Sequence, residues 1–351
     1  MKPHVRDLAR RAFLYEVDGG EDRMFGLFGN HESQLIELKG QEHMSHIGEV
    51  VCTIGAFDGV HQGHRFLFSS TIADAKRRGL PSVIVTFDPD PDELFLPQNK
   101  VRKLLNNKDR LNFLCKFGAD FVVSIPFTRE LAAHSAEGFL QMVVNRAFKP
   151  RAIHVGSDFK LGANNAGNVS ELRIIGKKRS TLCDVYGYDL LCTGSQIVSA
   201  TRIRDLIQND GDCATATELL CRPHFVRGMV VEGRHQGSGF GFPTANVELS
   251  YPYVVPAEGV YACLVLVGDM VYPAAVNVGI PRTFANELHC ASIEGNLLGY
   301  HGDLYGQEVS VAFIEHLRGQ KAFDSLDELI AAVNGNIDWV AQNIGSEGFS
   351  L

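Results

Sequence analysis

The stretch from Val50 to Leu67, VVCTIGAFDGVHQGHRFL, constrains the fold more than any other part of the chain. It begins with a β-branched apolar run, turns at glycines and an aspartate, and enters a helical pattern at Phe66. His61 and His64 stand where that helix begins. Unpaired N–H groups and the positive end of the helix dipole favour anions at such a position. The stretch therefore predicts a strand, a tight loop and a helix N-terminus that binds a phosphate chain.

Strand-like and helical segments alternate after this stretch. The strand-like runs lie at 82–87, 121–127 and 152–156, and helical patterns lie at 65–77, 109–117 and 136–147. Repeated β-α-β order predicts a mostly parallel, doubly wound α/β sheet. Ligands bind at the carboxyl ends of the strands in such a sheet, which is where the loop with the two histidines is expected.

The pattern changes beyond a turn at 209–212 and a helix-ending Pro223. Short apolar segments separated by glycine-containing turns predict a compact antiparallel β-barrel, and helical patterns at 323–334 and 337–344 would close it. A loosely ordered N-terminal extension with a short helix at 5–13 is expected at the other end. The predicted divisions are an extension at 1–45, an α/β domain at 46–212 and a barrel domain at 223–351.

Composition and charge argue against several classes of protein. The formal net charge is -8 and no long block of Lys or Arg occurs, which argues against a nucleic-acid binder. No apolar run approaches the ~18 to 20 residues that span a bilayer. The eight cysteines form no CxxC pair, and the first residues lack the apolar core of a secretion signal. We therefore expect reduced thiols, a cytoplasmic location and a nucleotide ligand.

A second polar motif, VSATRIRDLI at 198–207, follows the α/β pattern. It supplies hydroxyls at Ser199 and Thr201 and guanidiniums at Arg202 and Arg204, all of which suit a triphosphate. The two histidines alone could instead be metal ligands together with Asp58, or a structural pair. Neither alternative explains the second motif.

The ordered set GxFDGVHxGH, TFDP, GSDFKLG and SATRIR resembles the FMN adenylyltransferase half of the prokaryotic bifunctional riboflavin kinase/FAD synthetases, over about 50–207. The resemblance implies a Rossmann-like nucleotidyltransferase domain in which His61 and His64 bind the ATP phosphates. An FMN phosphate oxygen would attack the α-phosphorus and expel pyrophosphate, with Mg²⁺ as cofactor. The opposing phosphate clamp would be Ser199, Thr201 and Arg204, and further nucleotide contacts would be Gly55, Phe57 and Asp58.

The densest motif of the second half is GSGFGFPTANV at 237–247. Its glycines, Gly237, Gly239 and Gly241, permit close approach of the backbone to a ligand. Thr244 and Asn246 carry hard oxygen donors that suit Mg²⁺. The lysine of a Walker P-loop is absent. A glycine-rich hairpin with capping polar residues is the alternative interpretation.

This segment resembles the flavokinase signature GFPTAN, and EGVYA, NVG and GDLYG follow in the order of that family. The resemblance implies a riboflavin-kinase-like antiparallel β-barrel with a closing helix. It also selects Glu294 as the base that accepts the proton of the terminal ribityl hydroxyl of riboflavin. A solvent-facing glutamate in a strand is the alternative.

Both halves depart from the usual family pattern. Asp90 replaces the His of TFDPHP, so an anion stands where the family has a potential cation. This anion either weakens a phosphate or flavin contact or faces solvent. Leu161 replaces the Phe of DFxFG. In the second half Ser238 stands in place of an arginine, and Pro281 and Arg282 are interchanged.

The predicted function is FAD synthesis from riboflavin, in which the barrel makes FMN and the α/β domain makes FAD. The expected partners are riboflavin, FMN, FAD and ATP, without nucleic acid or membrane. One alternative is an FMN adenylyltransferase with an impaired kinase half, because that half carries more departures. The other is a flavin- or nucleotide-binding protein without turnover.

Overall fold

The computed structural model describes residues 3–17, 31–38, 47–96, 100–178, 182–194, 196–232, 244–279 and 292–351. The chain divides into two compact units. The α/β unit contains Val17–Gln98 and Asn107–Ser199, and the barrel unit contains Met1–Glu16, Asn99–Asn106 and Ala200–Leu351. The domain boundaries expected from the sequence stay predictions, because a compact unit does not define where an independently folding domain ends.

The α/β unit is built on a parallel sheet. Within the described ranges its six strands are β1 (Gln34–Glu37), β2 (Glu49–Ile54), β3 (Ser82–Asp88), β4 (Phe121–Pro126), β5 (Lys149–Gly156) and β6 (Asp184–Tyr188). Their order is β1-β4-β3-β2-β5-β6, and every neighbouring pair is parallel. The apolar residues of β2 and β3 are buried, as expected for parallel strands that are covered on both faces. The predicted parallel α/β fold is confirmed.

The helices of this unit alternate with its strands. They are α2 (Gln62–Arg78), α3 (Pro91–Phe95), α4 (Asn107–Cys115), α5 (Arg129–Ala132), α6 (Ala136–Arg146) and α7 (Val169–Gly176), and a hairpin of β7 (Cys192–Thr193) and β8 (Gln196–Ile197) follows. The chain moves from β2 towards β4 on one side of the sheet and towards β6 on the other. The order of the sheet therefore reverses at β2, and the loop from β2 to α2 lies at this switch point.

The barrel unit contains antiparallel strands that close on themselves. In the described part of this unit they are β9 (His224–Val231), β10 (Ala245–Leu249), β11 (Gly259–Val267), β12 (Met270–Gly279), β13 (Ser292–Leu297) and β14 (Glu308–Gly319). Closure follows because β11 pairs with both β14 and β12. A short β15 (Phe349–Ser350) adds to β12. The predicted antiparallel barrel is confirmed.

A single helix, α10 (Leu326–Asn343), closes the barrel unit. The two separate helices predicted at 323–334 and 337–344 are wrong, because one continuous helix covers most of both ranges. Ser325 caps the helix by accepting a hydrogen bond from the Glu328 backbone N–H at 3.2 Å. Gly335 lies inside the helix without ending it, since a helical glycine costs only about 1 kcal/mol relative to alanine.

The N-terminal residues form α1 (Pro3–Phe13), which belongs to the barrel unit. The Phe13 ring packs edge-on against Phe225 with centroids 6.0 Å apart. Arg227 Nη2 donates a hydrogen bond to the Tyr15 hydroxyl at 3.1 Å. The short helix is therefore confirmed, whereas the expectation of loose order is wrong for this part of the extension.

Two further helices connect the units in sequence and lie in the barrel unit. They are α8 (Ala200–Asp205), which continues as a π-helical turn (Leu206–Asp210), and α9 (Cys213–Leu220). Among the residues described, no helix combines the length and the apolar character needed to cross a membrane.

Candidate functional site

His61 and His64 lie side by side at the start of α2. Their rings stack with centroids 3.7 Å apart and planes 20° from parallel, and Phe57 packs edge-on against His64 at 5.2 Å. His61 is 6 % exposed. Burial, reinforced by the neighbouring His61, lowers the pKa of His64 well below its usual range. The His64 imidazole is therefore neutral near pH 7 and keeps one N–H donor for a phosphate oxygen.

The loop that leads to these histidines is tightly wound. Phe57 has φ 55°, in the left-handed region, and Asp58 lies buried in the following 3₁₀ turn, Asp58–Val60. A Cβ atom on Gly55 would lie only 2.7 Å from the Phe57 ring. Gly55 therefore allows Phe57 to fold back and support His64. The nucleotide contacts predicted for Gly55, Phe57 and Asp58 stay predictions.

The structure brings the start of the second motif to the first. A Cβ atom on Gly63 would lie 3.2 Å from His61 Cε1 and 3.7 Å from the Val198 carbonyl oxygen. Val198 is buried and Ser199, which follows it, is half-buried. A hydroxyl of the predicted phosphate clamp thus follows directly on a residue whose carbonyl oxygen lies beside Gly63, which stands between His61 and His64 in the sequence.

The rest of the second motif lies on α8 in the barrel unit. Thr201 is exposed and Arg204 is half-buried. Arg204 Nε donates a hydrogen bond to the Arg102 carbonyl oxygen at 2.9 Å. The Arg204 guanidinium is therefore held by main chain on one edge, and its role in phosphate binding stays a prediction.

A buried arginine that the sequence analysis did not single out joins the loops after β2 and β3. Arg110 is 1 % exposed and donates hydrogen bonds to the carbonyl oxygens of Ala56 and Phe87. It also donates to Thr86 Oγ1 at 3.0 Å. Its position among the apolar residues of α4 was the available signal, because a charge on a buried helix face needs partners.

Asp90 is buried at 3 % exposure, so the alternative that it faces solvent is wrong. Its side chain caps α3 by accepting a hydrogen bond from the Asp92 backbone N–H at 3.0 Å, and Glu93 completes a capping box. Its other carboxylate oxygen lies 3.9 Å from Arg110 Nη1. The charge that Asp90 introduces is thus partly offset by Arg110.

In the barrel unit, three polar side chains lie in a row across neighbouring strands. Glu294 on β13 is paired with Asn246 on β10 and with Asn277 on β12. All three are half-buried, whereas the adjacent Ala245 and Ile293 belong to the barrel core. Directly paired residues of antiparallel strands project from the same face, about 5 Å apart at Cβ. The row therefore lies on the outer face of the barrel.

Further side chains support this row. Glu294 Oε1 accepts a hydrogen bond from Ser292 Oγ at 2.9 Å, and Gln320 Nε2 donates to Asn277 Oδ1 at 2.9 Å. Thr244 lies two residues before Asn246 and is half-buried. The sequence motifs assign no role to Ser292 or Gln320, and they include Asn277 only as the first residue of the NVG motif. The predicted Gly237, Gly239 and Gly241, together with Ser238, Pro281 and Arg282, lie outside the described residues.

The oxygen donors near this row fit a divalent cation such as Mg²⁺. Thr244 and Asn246 are two residues apart at the start of a strand, so they share a face. Hydroxyl and amide oxygens are hard donors, and Mg²⁺ commonly takes a few protein ligands together with substrate phosphates and water. The metal contacts of Thr244 and Asn246 stay predictions.

Comparison with known proteins agrees with these features. The FAD synthetase family model matches residues 43–202, and the riboflavin kinase family model matches residues 220–344. The bifunctional riboflavin kinase/FMN adenylyltransferase of Escherichia coli (strain K12) is 34% identical over 304 residues, which cover 84% of this chain and 94% of the relative. The protein of that name from Haemophilus influenzae is 30% identical over 287 residues, covering 82% and 91%.

A solved structure extends the agreement to the fold of the chain. The structure described as a macrolide-efflux protein from Streptococcus pneumoniae is 28% identical, with a TM-score of 0.76, and the match covers 88% of this chain and 99% of that one. The Escherichia coli relative is covered almost throughout, and both family models lie in the order predicted from the motifs. The chain therefore belongs to the family of bifunctional riboflavin kinase/FMN adenylyltransferases.

Proposed function

We propose that two different sets of residues described above carry the two steps of FAD synthesis in this chain. The overall reaction follows from the family: ATP phosphorylates riboflavin to FMN, and a second ATP adenylylates FMN to FAD with release of pyrophosphate. The proposal concerns which side chains perform each step.

For adenylyl transfer, we assign His61 and His64 to the ATP phosphates, with Ser199, Thr201 and Arg204 as further phosphate ligands. A phosphate oxygen of FMN forms a bond to the α-phosphorus as the bond to the β-phosphate oxygen breaks. No protein nucleophile is required, because positioning and neutralisation of developing charge account for the catalysis of such transfers. The observation that supports this assignment is the stacked His61–His64 pair at the N-terminus of α2, with the Val198 carbonyl oxygen beside Gly63 of the same turn.

For phosphorylation, Glu294 is the base. Its carboxylate accepts the proton of the terminal ribityl hydroxyl as that oxygen attacks the γ-phosphorus and ADP leaves. The row Asn246–Glu294–Asn277 supports this assignment, because two neutral amides flank the carboxylate and Ser292 orients it.

Thr244 and Asn246 would hold Mg²⁺, which neutralises the charge of the ATP phosphates when bound. Gly237, Gly239 and Gly241 are assigned to the nucleotide by the motif alone. We also propose a cytoplasmic location, which the ATP dependence supports, as do the described cysteines, all of which are free thiols.

The test is a product assay with purified protein, ATP, Mg²⁺ and either riboflavin or FMN, followed by chromatography. The wild type should form FMN and then FAD from riboflavin. His64→Ala should lose FAD formation from FMN while FMN formation persists, and Glu294→Gln should show the reverse. Chelation of the metal should stop both steps. Loss of both activities in either variant would contradict the assignment, and FAD from FMN without FMN from riboflavin in the wild type would indicate an impaired kinase.

A further inference from the structure

Residues 100–106, which we call the inserted segment, lie between α3 and α4 in sequence but belong to the barrel unit. The segment pairs with the barrel through its backbone. The Lys103 N–H donates to the Pro252 carbonyl at 2.9 Å, and the Val254 N–H donates to the Lys103 carbonyl at 2.8 Å. This is a parallel bridge between Lys103 and Tyr253. The path of the inserted segment is thus tied to the 252–254 stretch.

A side-chain contact secures the end of the inserted segment. Asn106 Nδ2 donates a hydrogen bond to the Tyr253 hydroxyl at 2.7 Å. Tyr253 is 3 % exposed, and its ring packs edge-on against Tyr251 at 5.1 Å. A hydrogen bond to a buried phenol of fixed orientation restricts the amide that makes it. The Tyr253 hydroxyl therefore holds Asn106, while the backbone on either side of Tyr253 holds Lys103.

The inserted segment in turn contacts Arg204. The carbonyl that accepts the Arg204 Nε–H belongs to Arg102, the residue just before Lys103. The helix that carries Arg204 is anchored to the same unit, because the Ala257 N–H donates to the Ile207 carbonyl at 3.0 Å. A long arginine side chain loses about 2 kcal/mol of rotamer freedom when it is fixed. A carbonyl that orients the side chain beforehand reduces the entropy cost that phosphate binding must offset.

We propose that Tyr253 and Asn106 are positioning residues for adenylyl transfer. They fix the Arg102 carbonyl, which accepts the Arg204 Nε–H and so restricts the Arg204 guanidinium before phosphate binds. The inference rests on the proposed role of Arg204 in that step. Its consequence is that a tyrosine inside the stretch that matches riboflavin kinase controls the formation of FAD.

The test is Tyr253→Phe, which removes the hydroxyl and keeps the ring. The rate constant kcat for FAD formation from FMN should fall about three- to tenfold, the range that one hydrogen bond supplies. FMN formation from riboflavin by the same protein should change by less than about twofold, since the hydroxyl that is removed bonds to Asn106 of the inserted segment. Tyr272→Phe is the matched control, because it removes a phenol hydroxyl from β12 of the same barrel, and it should leave both rates unchanged.

A second comparison separates positioning from general destabilisation. In an Arg204→Ala background, Tyr253→Phe should lower the residual FAD formation no further, whereas a merely structural role would lower it again. Asn106→Ala should reproduce the effect of Tyr253→Phe, and it provides the test if Tyr253→Phe does not fold. Wild-type FAD formation in both variants, or an equal loss of both activities, would overturn the inference. Absence of FAD formation by the wild type, or FAD formation at the wild-type rate in Arg204→Ala, would instead defeat the proposed function.

Discussion

Acidification below pH 6.5 should destabilise the barrel unit through His224. This residue is fully buried at the start of β9, where its Nε2 lies 2.7 Å from the Val254 carbonyl and donates to it. Its ring stacks on Phe313 with centroids 6.3 Å apart. Burial lowers the pKa of His224 to about 4, although the hydrogen bond to Val254 opposes this shift. The folded protein therefore resists protonation of His224.

The sign and the size of the effect follow from proton binding. An unfolded imidazole has a pKa of about 6.5, so the unfolded state binds more protons than the folded state between pH 6.5 and pH 4. The free energy of unfolding is unaffected by His224 above this window and falls as the pH is lowered through it. At pH 5 the unfolded imidazole is largely protonated while the folded one is mostly neutral, so the expected loss is about 2 kcal/mol.

The assay is urea unfolding at pH 7.5 and pH 5.0 for the wild type and for His224→Gln. Glutamine does not titrate, and its amide N–H can replace the donor to Val254. Trp339, the single tryptophan, lies in α10 of the barrel unit and provides the fluorescence signal. Between the two pH values the wild type should lose about 2 kcal/mol more than the variant. An equal loss in both proteins would refute the reasoning.

Three further predictions concern the α/β unit. Gly55→Ala places a Cβ 2.7 Å from the Phe57 ring that supports His64, so it should lower FAD formation from FMN by about tenfold or more. Gly335→Ala is the control, because its Cβ meets nothing within 4 Å, and it should leave FAD formation unchanged. Asp90→Ala should lower the free energy of unfolding by about 1 kcal/mol, because the N-cap of α3 is lost. Asp90→Asn retains the cap and should lower it less. Equal losses of the two variants in urea unfolding would contradict this. Burial lowers the pKa of His64 in the free protein, and a bound anion raises it. ATP binding near pH 6.5 should therefore take up more protons in the wild type than in His64→Gln. Calorimetry in two buffers of different ionisation enthalpy measures this difference in proton uptake.

Much of the fold could be predicted because periodicity is a local signal. The β-branched run of β2 and the glycine loop after it predicted the strand and the turn that the structure contains. The location of α1 could not be predicted in this way. An amphipathic pattern indicates that one face of a helix is buried, but it does not identify the element that covers that face. The contact of Phe13 with Phe225 spans most of the chain.

The candidate site, like the fold, could be predicted only in part from the sequence. The sequence pointed to His61 and His64 because they stand at a predicted helix N-terminus, whereas Glu294 was selected by the resemblance to the flavokinases. The motifs did not indicate Arg110, and they included Asn277 only as the first residue of the NVG motif, because the partners of both residues lie on distant strands and loops. Sequence spacing predicts which face a residue occupies, whereas its partner depends on the register between strands.

The most direct test of the account is to mix two variants that each lack one of the two activities. Glu294→Gln alone should form no FAD from riboflavin because it lacks the base for FMN formation, and His64→Ala alone should accumulate FMN without converting it. If the two steps depend on different residues, the FMN released by His64→Ala is a substrate for Glu294→Gln. The mixture of both variants should therefore form FAD from riboflavin, ATP and Mg²⁺. A mixture that forms no FAD, although each variant is folded, would contradict the assignment of the two steps to separate sets of residues.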